Sequence, residues 1–153
     1  MKARELRSSM IMRILGGLMI ALGASAVAIG LGMFLLGPGR LGGATEALFD
    51  AMTASHHPAS ALYGATAESE LRFYAPFWLA YGVALIAAAR RLAHRLTWVP
   101  VLAALFFAGG VGRALAWFEI GPPHPVFTVL MAIELALPPV FLGLWALARK
   151  RAG

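Results

Sequence analysis

Four apolar runs, each long enough to cross a bilayer, alternate along this chain with short polar stretches. Ile14 to Leu36 carries no charge at all. Leu71 to Ala89, Leu96 to Trp117 and Val126 to Ala148 are interrupted only by Arg72, Arg113 and Glu134 respectively. About 20 residues at 1.5 Å each cover the hydrocarbon core, so each run predicts one membrane-spanning helix. Between the first two runs lies the only long connection, 37–70. Within it Leu48, Phe49 and Met52 fall on one face of the stretch Thr45 to Thr53, with Glu46 and Asp50 elsewhere. That pattern predicts a short helix lying on the membrane or capping the bundle. The fold expected is all-α, a single integral membrane domain over 1–153. It has four transmembrane helices at about 14–36, 71–89, 96–117 and 126–148, with a short amphipathic helix in the first outer loop.

The punctuation agrees with those boundaries. Gly37-Pro38-Gly39 ends the first run, Gly42-Gly43 precedes the amphipathic stretch, and Gly121-Pro122-Pro123 forms a tight turn between the last two. Thr66 followed by Glu68 and Glu70 has the form of a capped helix start with acids in its first turn. Ala24-Ser25-Ala26 fits a signal cleavage site behind a basic flank, but the apolar run continues ten residues beyond it. An uncleaved first helix is therefore expected. Two stripes of small residues, Ala24, Ala28, Gly32 and Ala104, Ala108, Gly112, Ala116, would let neighbouring helices approach closely.

Composition supports the membrane assignment and narrows the chemistry. The chain is 60% hydrophobic and 13% charged, where a soluble domain carries about 25% charged residues. Cysteine, Asn and Gln are absent. Disulfides, thiolate catalysis and Cys-based metal sites are thereby excluded. Any polar pocket must use charged groups, hydroxyls, His, Trp and backbone. The net charge of +6 does not signal nucleic acid, because ten of the thirteen basic residues flank the apolar runs. They form three clusters: Lys2, Arg4, Arg7, Arg13; then Arg90, Arg91, Arg95; then Arg149, Lys150, Arg151. With four spans all three clusters share one side, which the positive-inside rule makes cytoplasmic. Six of the seven acids fall toward the other side. A multi-pass membrane protein with both termini cytoplasmic is expected.

Candidate chemistry concentrates at the outer end. Buried ionisable residues are costly in a bilayer and usually face a partner or a wet cavity. Helical side chains lean toward their own N-terminus, so Arg113 leans inward from near Trp117 and Glu134 leans outward from the antiparallel fourth span. The two converge on one level and predict an ion pair. Gly109 and Gly110, one turn before Arg113, would make room for its guanidinium. Pro76 and Pro138 remove helical donors from the carbonyls of Arg72 and Glu134. Glu68, Glu70, Arg72, Glu119 and His124 lie near the same end, and Tyr74, Trp78, Tyr81 and Trp117 would line a pocket there. His56-His57 invites a metal assignment. Adjacent histidines cannot share a helical face, however, and the loop holds no obvious third ligand, so a solvated pair is expected and no metal site. No nucleophile–base pair, cofactor motif or phosphate loop is present, so neither catalytic residues nor cofactors are assigned.

Glu68-x-Glu70-Leu71-Arg72-Phe73-Tyr74, Gly109-Gly110-x-Gly112-Arg113, Gly121-Pro122-Pro123-His124-Pro125 and Met131 to Pro139 together carry a resemblance. Over roughly Ile14 to Ala148 the chain resembles a family of small bacterial four-helix membrane proteins catalogued as domain of unknown function 4345. The resemblance implies a bacterial inner-membrane protein and supplies no reaction. Three function classes follow from the residues: binding of a membrane lipid or small amphiphile in the charged outer pocket, a scaffold for a membrane-protein partner or homo-oligomer, and proton-coupled transport or chemistry at Glu134. The surplus of polar groups over a simple helix lock favours the first.

Overall fold

The computed structural model describes residues 2–58 and 64–150, with side chains from Ser9 onward. It contains five α-helices: α1 Lys2–Leu35, α2 Pro38–Thr53, α3 Ala65–Arg90, α4 Trp98–Ile120 and α5 Pro125–Arg149. A short 3-10 turn, Leu92–His94, joins α3 to α4. Arg151 of the basic tail lies outside the described residues. Four of the helices, over Ser9–Leu35, Ala65–Arg90, Trp98–Ile120 and Pro125–Arg149, are long and apolar enough to cross a membrane. Large apolar side chains such as Phe34, Phe77, Phe118 and Ile120 lie exposed on the outside of the bundle. Lipid solvates such a surface as well as protein does.

α1 packs antiparallel along α3, and α4 along α5, with thinner contacts joining the two hairpins. The first hairpin is drawn together by glycines, but not by the expected stripe. A Cβ on Gly23 would lie 2.8 Å from the Gly82 carbonyl, and one on Gly82 would lie 2.6 Å from the Gly23 carbonyl. The seam therefore runs Leu15, Met19, Gly23, Ala26, Gly30, every member buried, while Ala24 and Ala28 face outward. Ala104, Ala108, Gly112 and Ala116 are likewise exposed; α4 turns Leu102, Ala103, Phe106 and Gly110 inward instead.

Local starts and stops also differ from expectation in instructive ways. α2 begins at Pro38, whose locked φ suits the first helical position, so Gly42-Gly43 lies inside that helix. Gly37 makes the break between α1 and α2 at φ 92°, where a side chain is disfavoured. α3 is capped by Gly64, and Thr66 lies inside the helix without a capping role.

The apolar core occupies the basic half of the bundle. Leu15, Met19, Leu85, Ala88, Leu92, Val99, Leu102, Ala103 and Phe141 form one buried cluster there. The opposite half, where α2 sits, contains the buried polar residues Glu46, His124 and Glu134. That division leaves the α2 end less completely filled by apolar side chains, and the site is found there.

Candidate functional site

Arg113 on α4 and Glu134 on α5 meet in this half of the bundle. Arg113 Nε donates to both carboxylate oxygens, at 3.1 Å to Oε1 and 2.8 Å to Oε2. Glu134 is buried, with 6% of its side chain exposed, whereas Arg113 is 37% exposed. The glycines beside the pair serve the acid, not the guanidinium. A Cβ on Gly110 would press on Glu134 Cβ and Leu135 at 2.9 Å, and the side of Gly109 lacking a Cβ faces Glu134 Oε2. Removing those side chains lets α5 approach α4 closely enough for the carboxylate to reach Nε.

Two crevices flank the pair. One, of about 440 Å³, is lined by Arg113, Trp117, Pro122, Pro123, Phe127 and Met131 among others. The other, of about 340 Å³, is lined by Tyr74, Phe77, Trp78, Tyr81, Phe106 and Glu134 among others. The ion pair thus contributes its cation to one crevice and its anion to the other. Both hydrogen bonds from Arg113 leave through Nε, and its Nη1 and Nη2 atoms make none to a described residue. In the second crevice Tyr81 donates to the Leu102 carbonyl at 2.9 Å and stacks on Phe106. Its hydroxyl is therefore used to tie α3 to α4.

The other residues named from the sequence divide into separate groups. Arg72 does not join Arg113. It pairs with Glu68 one turn away at 2.9 Å and donates through Nη1 to the Phe34 carbonyl at 2.8 Å, at the end of α1. Glu68 in turn accepts from the Gly39 amide at the start of α2. A cation meets the carbonyl end of one helix and an anion meets the amide end of the next, as the helix dipoles favour. These two residues clasp the α1–α2 break. Glu70 and Glu119 are exposed, and neither forms an ion pair with a described residue.

His124 belongs to a cluster that sequence spacing did not bring together. It precedes α5, is buried, and accepts at Nδ1 from the Val126 amide. Its Nε2 lies 3.3 Å from Asp50 Oδ1 on α2. Asp50 also receives the His57 ring at 2.7 Å and the His57 amide at 2.9 Å. These bonds from His57 hold the Asp50 carboxyl down at about 2. The chain reverses after α2 through Ala54, in left-handed conformation at φ 51°, and so carries His57 back to Asp50. His57 is thus not a free loop residue, and its partners come from α2 and from the distant α4–α5 turn.

Residues 10–146 match the family described as Domain of unknown function (DUF4345). The chain belongs to that family. No curated protein matches it, and no solved structure does. Membership in DUF4345 accounts for nearly the whole chain and carries no activity with it, so the functional reading of this DUF4345 protein rests on its own side chains.

Proposed function

We propose that the protein binds an anionic lipid or lipid-like amphiphile at the α2 end of the bundle, its head on Arg113 and apolar parts against the aromatic crevice beside Glu134. The observation carrying this reading is the half-used guanidinium. Glu134 holds Nε and orients the group, while both Nη atoms remain available to a phosphate or carboxylate, which guanidinium recognises through paired donors. Apolar crevice walls with a few placed charges suit an amphiphile. Arg72, consumed by Glu68 and the end of α1, is not part of this head-group site. The distribution of basic residues supports a cytoplasmic location for the opposite end and an inner-membrane setting, so the amphiphile would come from the outer half of the bilayer.

Native mass spectrometry of protein reconstituted in dioleoyl phosphatidylglycerol and then released into mild detergent tests this. Retained phosphatidylglycerol is expected on the wild type, and much less after Arg113→Met combined with Glu134→Met, which removes both charges together. Equal retention by a folded double variant would favour the scaffold reading. That second reading has its own support in the outward-facing Ala104, Ala108 and Gly112, where another helix could approach closely.

A further inference from the structure

We propose that Asp50, His57 and His124 form a binding site for a zinc-class divalent metal ion, which staples α2 and its following loop to the start of α5. The site is separate from the Arg113 crevice, and its three residues come from α2, from the loop behind it and from the α4–α5 turn. One ligand atom from each lies within 4.8 Å of the others. Two imidazoles and one carboxylate make a set suited to zinc, with a fourth position open to water.

Two observations distinguish this cluster from an ordinary solvated Asp–His contact. The first is the state of His124. Only 2% of its side chain is exposed, and Nε2 is buried without a hydrogen bond, although Asp50 Oδ1 lies 3.3 Å away, out of line with the ring N–H. A buried imidazole nitrogen without a partner is costly, and a metal ion would satisfy it. The second is spacing. Bonds of about 2.0–2.1 Å at tetrahedral angles set ligand atoms about 3.3 Å apart. His124 Nε2 and Asp50 Oδ1 already stand at 3.3 Å. His57 Nδ1, at 2.7 Å from the same oxygen, is hydrogen-bonded to it; to coordinate, the ring has to carry its proton on Nε2 instead and open by a few tenths of an ångström. It sits on a loop, one third exposed, where that movement is cheap.

Coordination has a defined proton cost at His124. With Nδ1 accepting from the Val126 amide at 3.3 Å, the neutral ring carries its proton on Nε2. Metal binding moves that proton to Nδ1 and gives up this long, weak capping bond. Pro125, already set for the first helical position, keeps α5 started without it.

The test uses full-length protein without a histidine tag, stripped with EDTA and equilibrated with zinc chloride, then analysed for bound metal after gel filtration. About one zinc per chain is expected for the wild type and for His56→Ala. His57→Ala and Asp50→Ala should weaken retention at least about tenfold, the loss that removing even an outer-sphere partner can cause. Cobalt in place of zinc should give the intense visible bands of a tetrahedral site, absent from His57→Ala. His57 lies outside the bundle core, so its replacement leaves a folded protein on which the comparison stands. Zinc retained equally by wild type and His57→Ala, lost equally in His56→Ala and His57→Ala, or not retained by the wild type would each overturn the assignment.

Discussion

Removing one member of the Arg113–Glu134 pair strands the other, and the two losses should be unequal. Opposite charges about 4 Å apart interact by about 4 kcal/mol at the effective dielectric constant of about 20 that describes protein sites. Truncating one partner of a buried pair typically costs about 3–5 kcal/mol. The exposures here, 6% for the Glu134 side chain and 37% for that of Arg113, divide that cost. Arg113→Met leaves a carboxylate enclosed by α4 and α5 and should cost about 3 kcal/mol, at the lower end of that range. Glu134→Gln leaves a guanidinium that can turn toward water or lipid head groups, and should cost about 1 kcal/mol, as for a partly exposed charge. The double change Arg113→Met with Glu134→Gln removes the enclosed charge altogether and should cost less than Arg113→Met alone. Reversible unfolding in mixed detergent micelles, titrated with SDS, measures all three. Losses that add within about 0.5 kcal/mol would mean that the residues do not act as a pair. A larger loss for Glu134→Gln than for Arg113→Met would refute the argument from burial.

Two further outcomes follow from the fold. In this Cys-free chain, Met52→Cys on exposed α2 should react with an impermeant thiol reagent on intact cells, while Ala93→Cys between α3 and α4 should not; the reverse labelling would invert the orientation. Gly82→Ala sets a Cβ 2.6 Å from the Gly23 carbonyl and should lower stability in detergent by about 1–3 kcal/mol, the usual cost of overpacking, whereas Gly112→Ala, which meets nothing within 4 Å, should leave it unchanged.

The sequence alone sets the number of long helices, their antiparallel order and the level at which Arg113 meets Glu134. Each depends only on run length, on turn residues and on the constant rise and lean of an α-helix, which hold in any packing. What it did not determine is which face of each helix turns inward. The apolar stretches of α1 and α4 present no distinct apolar face, because lipid and core are alike to a Leu side chain, so hydrophobic periodicity has no inward direction to report. Of the small-residue stripes, Ala24, Ala28 and the α4 set therefore point outward and Gly32 meets Leu41 of α2, while Gly23 and Gly82 bring α1 and α3 together. The polar groups at the α2 end were sorted by tertiary structure for a related reason. Proximity to one end of a bundle does not decide which corner a side chain occupies. Arg72 went to the end of α1 and His124 to Asp50 and His57, residues far apart in sequence that only the docking of α2 against the α4–α5 turn brings together.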